Sequence, residues 1–169
     1  MSTALPPKDW IEYLIALTPI AIAIFVAVVA YWQSRINRDK LRLNLYNRRF
    51  DIYSKTLDLL HASHNFLKPS AEEKEQLIEV RKAFLKSYRE SQFLFDEKAG
   101  IFNLLSEILT KSDIMSHFAL NGERLECENE QAFQKCWKEA ADALVWIDHI
   151  IPKLEKAMAP YLNFHKLTE

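Results

Sequence analysis

An uninterrupted apolar segment constrains this chain more than any other feature. No charged residue occurs from Tyr13 to Trp32. A helix of about twenty residues is about 30 Å long, which matches the hydrocarbon core of a bilayer. Trp10 and Tyr13 stand at one end of the segment and Tyr31 and Trp32 at the other, as aromatic residues do at the two membrane interfaces. We therefore predict a single transmembrane helix over residues 13–32.

Three other interpretations compete with a transmembrane helix. A cleaved signal peptide usually has a positive start and a shorter apolar core, whereas here Lys8 and Asp9 cancel, although "VVA" before Tyr31 could pass as a weak cleavage site. A buried core helix in so small a protein would rarely be apolar on every face. An interfacial helix needs a polar face, and this segment has none. A membrane helix also tolerates the internal Pro19.

A basic run follows the apolar segment and predicts its orientation. Residues 33–49 contain six basic residues against the single acid Asp39. The positive-inside rule places this end in the cytoplasm and residues 1–12 outside as a short tail. The same side chains can contact anionic lipid headgroups. A nucleic-acid patch is the alternative, but the topological role already accounts for them, so we expect no nucleic-acid binding. The six are Arg35, Arg38, Lys40, Arg42, Arg48 and Arg49.

The remainder, residues 33–169, is predicted to be all-α, as a cytoplasmic antiparallel bundle of about four helices. Two glycines in the whole chain disfavour strands joined by tight turns. The first predicted helix carries a seam of residues at heptad spacing. Further apolar residues beside this seam, including Ile52 and Leu59, make the apolar face wider than that of a two-stranded coiled coil. The heptad seam that they flank consists of Ile36, Leu43, Tyr46, Phe50, Tyr53, Leu57, Leu60, His64 and Leu67.

Local signals divide the rest of this region into three more helices. Ser70 and Glu73 form the S-x-x-E pattern of a capping box. "DEKAG" at 96–100 predicts a break, "NG" at 121–122 predicts a turn, and Pro160 is expected to end the last helix. The predicted helices cover residues 71–95, 101–118 and 129–158. Side chains expected to face inward include Leu77, Phe84, Leu105, Ile108, Met115, Trp137, Ile147 and Leu154.

One trio of residues has the spacing of metal ligands. Asp58, His61 and His64 lie at i, i+3 and i+6 of the first predicted helix. The di-iron arrangement in helical bundles needs Glu-x-x-His motifs from two helices, and the sequence contains none. We therefore expect no metal and interpret His64 as a hydrogen-bonded core residue.

No catalytic motif is present either. Cys136 could in principle pair with His117 or His149, but no pattern indicates that they meet. Cys127 and Cys136 are expected to be free thiols that act as small buried apolar residues in a reducing compartment. Two glycines cannot build a phosphate-binding loop. We expect neither enzyme activity nor a cofactor.

The predicted span carries a small-xxx-small pair, Ala23 and Ala27. Such pairs let membrane helices approach closely and favour a homo-oligomer, although alanine is common in any span. Because the span lacks charge, one copy cannot line a water-filled pore. A pore would need several copies lined mainly by Thr18 and by backbone groups that Pro19 frees.

Residues 31–60 resemble a group of small bacterial inner-membrane proteins that have one or two N-terminal spans. These proteins carry an Arg-Arg-Phe-x-x-Tyr element, which Arg48, Arg49, Phe50 and Tyr53 match. Similar proteins accompany anti-phage systems, including retrons, as toxic effectors that are silent until infection. The resemblance implies a non-enzymatic antiviral effector that perturbs the inner membrane, with a regulatory partner from a neighbouring gene. A membrane-tethered adaptor that binds a cytoplasmic partner is the alternative.

Overall fold

The computed structural model describes residues 10–64 and 69–163. All regular structure in these residues is helical, which confirms the predicted all-α class. The chain divides into two compact units, Met1–Leu43 and Asn44–Glu169, which we call unit 1 and unit 2. A short 3₁₀ turn at Glu97–Ala99 separates the second and third α-helices. The α-helices are α1 (Trp10–His64), α2 (Ala71–Leu94), α3 (Ile101–Glu128) and α4 (Glu130–Leu162).

Unit 1 consists of the N-terminal part of α1 in the described residues. Its described side chains, residue 15 and residues 17–43, are all exposed. Phe25 is 69% exposed and Ile15 is 67% exposed. An apolar helix with no covered face contributes no protein core of its own, so its surroundings must supply the contacts that keep it from water.

Unit 2 contains a continuous hydrophobic core to which each of its helices contributes. α3 packs most extensively against α4, and α2 packs against α3. Full burial of one such apolar side chain contributes about 1.5–3 kcal/mol relative to exposure. The largest fully buried apolar side chains are Ile52 and Leu59 on α1, Phe84 on α2, Ile101, Leu105, Ile108 and Met115 on α3, and Leu154 and Met158 on α4.

The capping box predicted before α2 is present. The Glu73 backbone N–H donates to Ser70 Oγ at 3.2 Å, and the Ser70 backbone N–H donates to Glu73 Oε2 at 2.7 Å. These bonds satisfy two donors that would otherwise lack partners at the start of the helix. The predicted break after α2 is also confirmed, because Gly100 adopts the left-handed conformation with φ 66°.

The turn predicted at Asn121 and Gly122 is wrong, because α3 continues to Glu128. A tight turn of the type that "NG" favours needs positive φ, and Gly122 does not have it. Gly122 is instead buried against the Phe118 ring, and a Cβ added at this glycine would lie 3.4 Å from that ring. Tertiary packing therefore overrides the local signal.

α4 begins where the sequence predicts, but it ends later. Asn129 caps the helix, its Oδ1 accepting from the Ala132 N–H at 3.0 Å. The prediction that Pro160 ends the helix is wrong, because α4 continues to Leu162. The last turn carries Tyr161, whose ring meets Phe95 edge-on with centroids 5.2 Å apart. This contact stabilises a turn in which Pro160 lacks a backbone donor.

Several expected core positions are on the surface. Phe50, in the predicted heptad seam, is 48% exposed, whereas the flanking Ile52 and Leu59 are fully buried. Trp137 is 43% exposed. His64 and Cys127 are exposed, so the interpretation of both as core residues is wrong. The buried stripe of α1 also repeats every seven residues, but it lies beside the predicted seam and shares only Leu60 with it.

We predict opposite effects for the same substitution at the two glycines. Gly122→Ala should raise the free energy of unfolding by about 0.5–1 kcal/mol, because alanine favours a helix more than glycine does. Gly100→Ala should lower it, because a side chain is strained in the left-handed conformation. Urea unfolding of the full-length chain in mild detergent, followed by circular dichroism, measures both. A destabilising Gly122→Ala would show that the Phe118 ring cannot accept the added methyl group.

Candidate membrane segment and its basic flank

α1 contains the one described helix that is long and apolar enough to cross a membrane. An 18-residue window within Leu17–His64 has a mean hydropathy of 1.7, and none of that window is buried within the chain. By length and composition this supports the predicted span in its coarse form. The exact bounds at residues 13–32 and the orientation of the span stay predictions.

The predicted span residues occupy successive turns of α1. Pro19 lies inside the helix, where it leaves the Ile15 carbonyl without its usual N–H donor. Ala23 and Ala27 are exposed and one turn apart, so they lie on the same face. Trp32 is 65% exposed near the start of the polar region. Tyr13 lies in the first turn of α1.

Four of the basic residues belong to unit 1. They are exposed and lie within two turns of one another on α1, after the last aromatic residue of the span. Long basic side chains in this position can extend along the helix towards lipid headgroups while their charges stay hydrated. These four are Arg35, Arg38, Lys40 and Arg42.

Arg48 and Arg49 lie in unit 2, and the two neighbours have different environments. Arg48 is exposed, whereas Arg49 is half-buried. Arg49 Nε donates to the Leu94 carbonyl at 3.0 Å. Its guanidinium carbon lies 5.0 Å from the Tyr161 ring centroid and 5.9 Å from that of Phe95. We call this cluster of Arg49, Leu94, Phe95 and Tyr161 the Arg49 joint.

The Arg49 joint connects α1 to the C-terminal ends of α2 and α4. The last carbonyls of a helix lack intrahelical donors and carry partial negative charge, so a cation there is favourable. The planar guanidinium can donate to the Leu94 carbonyl and still lie over two aromatic rings. The sequence analysis did not find this contact. The signal available for it was the position of Arg49 three residues before the buried Ile52, on the same helical face.

Two further polar contacts link helices of unit 2. Tyr53 Oη donates to Glu155 Oε1 at 2.8 Å, between α1 and α4. This hydrogen bond, with smaller contributions from burial and from the Glu155 charge, raises the pKa of Tyr53. Arg81 Nε donates to Asp113 Oδ1 at 2.6 Å, between α2 and α3. Such solvent-exposed contacts contribute less to stability than the apolar core does.

The structure brings Cys136 and His117 to one groove, which the sequence could not establish. The groove, of about 470 Å³, lies between α3 and α4 and is also lined by Asp113 and Glu139. No hydrogen bond joins the Cys136 thiol to the His117 imidazole in the described part of the chain. Asp113 is already paired with Arg81. The groove therefore lacks the contacts that would activate a thiol nucleophile.

The three residues on α1 that have the spacing of metal ligands lie at the surface. Asp58, His61 and His64 are all exposed near the end of the helix. Across residues 10–64 and 69–163, no group of three or more His, Cys, Asp or Glu side chains could hold a metal ion. The absence of catalysis stays a prediction, because these observations concern only particular clusters.

No protein family, curated protein or solved structure matches the chain. The resemblance of residues 31–60 to defence-associated membrane proteins therefore stays an expectation from the sequence.

We predict that the two neighbouring arginines respond differently to the same substitution. Arg49→Lys keeps the charge but removes the planar group from the Tyr161 and Phe95 rings, so the free energy of unfolding should fall by about 1 kcal/mol. Arg48→Lys changes an exposed side chain and should shift it by less than about 0.5 kcal/mol. Urea unfolding of the two full-length variants in detergent makes the comparison. Equal effects would contradict a stabilising role for the Arg49 joint.

Proposed function

We propose that the chain is a single-pass membrane protein whose unit 2 binds a cytoplasmic partner, so that the span locates this binding module at the bacterial inner membrane. The observation that carries the proposal is the contrast between the units. Unit 2 buries its own apolar side chains, whereas those described in residues 15–32 of unit 1 are exposed. An apolar surface of this extent marks a membrane or protein contact, and its length matches a bilayer.

Charge supports the proposed orientation, with the N-terminus outside and the C-terminus in the cytoplasm. Arg35, Arg38, Lys40 and Arg42 follow the span closely and are exposed. The residues before the span carry a single basic residue, Lys8, against the two acids Asp9 and Glu12. Basic residues close to a span resist translocation, so the end that carries more of them stays inside.

Chain connectivity supports an antiparallel bundle in unit 2. α2 and α3 are joined by a short segment that includes the 3₁₀ turn, and Asn129 alone separates α3 from α4. Short connections between long helices favour antiparallel neighbours. In this proposal the exposed surface of the bundle binds the partner, and no catalysis is involved.

A bilayer-perturbing effector of antiviral defence is the second candidate. The exposed Ala23 and Ala27 on one face of the span favour it, because small residues allow close packing of several copies in lipid. The resemblance at Arg48, Arg49, Phe50 and Tyr53 favours it as well. In this function a regulatory protein from a neighbouring gene keeps the oligomer silent until infection.

The span predicts how charge should affect membrane insertion. Each Arg at the centre of a span costs about 2.5–3.5 kcal/mol on the insertion scale. Ile24→Arg combined with Val28→Arg should therefore move the full-length chain from the carbonate-resistant membrane fraction to the soluble or aggregated fraction. Gln33→Arg, just after the span, is the matched control and should stay in the membrane. A double variant that stays fully membrane-integrated would contradict the proposal.

A separate experiment tests the orientation of the span, and its result can be distinguished from a failure of the span to insert. A C-terminal tag on the full-length chain should be protected from protease in intact spheroplasts and cleaved after lysis, because the proposal places unit 2 in the cytoplasm. An N-terminal tag should already be cleaved in intact spheroplasts. Cleavage of the C-terminal tag in intact spheroplasts would overturn the orientation while leaving the span in place.

The two candidate functions differ in what the span does. If the chain is an effector, its expression alone should depolarise cells, and Ala27→Leu should reduce this effect by blocking close packing. Ala21→Leu adds the same bulk on another face and is the control. If the chain is an adaptor, a chain in which an unrelated span replaces residues 13–32 should still bind its cytoplasmic partner at the membrane. None of the variants should then change the membrane potential. A potential-sensitive dye measures the membrane potential in cells that express each variant.

A further inference from the structure

A cleft in unit 2, separate from the Arg49 joint and from the Cys136 groove, lies between the C-terminal part of α3 and the N-terminal part of α4. Its volume is about 780 Å³. Small-molecule sites typically have volumes of about 300–1,000 Å³. We call it the α3–α4 cleft. Its aromatic lining consists of Phe118, Phe133 and Trp137, and its acidic lining consists of Glu123 and Glu126.

The aromatic residues form one side of the cleft. The Phe118 and Phe133 ring centroids are 5.4 Å apart with an interplanar angle of 46°. Trp137 lines the same space and remains accessible to solvent. Gly122 also lines it and has no side chain to fill the space in front of Phe118. The faces of aromatic rings carry partial negative charge, so they attract cations as well as apolar groups.

The acidic side of the cleft has an uncompensated charge. Glu123 Oε2 lies 3.4 Å from Lys74 Nζ, so one lysine of α2 balances this carboxylate. Glu126 has no ion-pair partner among residues 10–64 and 69–163. The C-terminus of α3 and the N-terminus of α4 both border the cleft, so their opposite helix-dipole charges offset each other and the net charge comes from the carboxylates. The cleft therefore combines apolar aromatic surface with net negative charge.

We propose that the α3–α4 cleft binds an organic cation that has an apolar body and a quaternary or tertiary ammonium head. The body would lie against the Phe118 and Phe133 rings, and the head would lie within reach of Trp137 and Glu126. A neutral analogue gains only the apolar contact, and an anion meets repulsion from Glu126. Nothing in this proposal depends on the span, so its failure would leave the proposed membrane function unaffected.

Three probes with the same benzyl body test the charge preference. Benzyltrimethylammonium, benzyl alcohol and phenylmethanesulfonate are titrated by ligand-observed NMR into the full-length chain in dodecyl maltoside, with empty micelles as background. The cation should bind at least about tenfold more tightly than the alcohol, and the sulfonate should not bind. Equal affinity for the three probes, or no binding of the cation up to about 20 mM to a chain that is helical by circular dichroism, overturns the proposal.

Matched variants test whether binding occurs in this cleft. Glu126→Gln should weaken binding of the cation by about fivefold or more. Glu130→Gln removes the same charge from the first residue of α4, which does not line the cleft, and should leave binding unchanged. Trp137→Leu should weaken binding of the cation and leave the alcohol unaffected. An equal loss in both Glu variants, or none in any variant, would overturn the assignment.

The other occupant to be distinguished is a basic amphipathic helix of a partner protein. A short Leu/Lys amphipathic peptide is titrated in the same way. Tight binding of the peptide that depends on Glu126, together with no binding of benzyltrimethylammonium, would assign the cleft to a protein ligand and overturn the small-cation proposal. Displacement of the bound cation by excess peptide, with both depending on Glu126, would support the cation site.

Discussion

The apolar surface of α1 in unit 1 is the constraint on which the rest of the chain depends. Every side chain described there is exposed, and each square ångström of apolar surface in water costs about 25 cal/mol. Lipid removes that cost but offers no partner for backbone groups, so the segment must be a helix that satisfies its own hydrogen bonds. Pro19 is the internal exception, because it frees one carbonyl. The helix continues without a break beyond this segment, to His64.

The Arg49 joint shows how unit 2 holds the part of α1 that belongs to it. Two adjacent arginines differ by about 100° of helical rotation, which is enough to place Arg48 in solvent and Arg49 against the end of α2. Arg49 is therefore a structural residue of unit 2 as well as a member of the basic run. The aromatic rings of Phe95 and Tyr161 bring the end of α4 to the same place, so one guanidinium of α1 contacts groups at the ends of two other helices.

Much of the fold could be predicted because its signals are local. The uncharged length, the Ser70–Glu73 capping box and the Asn129 cap depend on neighbouring residues, and the structure contains each of these helix signals. The failures share one cause, which is packing between segments distant in sequence. Phe118, one turn before Gly122, contacts Phe133 of α4, and Tyr161, next to Pro160, contacts Phe95. The α3–α4 cleft could not be anticipated either, because its lining comes from two helices whose pairing no local pattern specifies.

The connection of α3 to α4 through Asn129 alone has a consequence for how the chain acquires its structure. Near Asn129, contacts between these two helices join residues that are close in sequence. Such contacts need little loop-closure entropy and can form quickly. Contacts of α1 with α4, such as Tyr53 with Glu155, join residues 102 positions apart. During synthesis α1 leaves the ribosome before α4, so Tyr53 meets Glu155, and Arg49 meets Tyr161, only after α4 has been made. The contacts that join α3 to α4 therefore close at a smaller entropy cost than those that join α1 to α4.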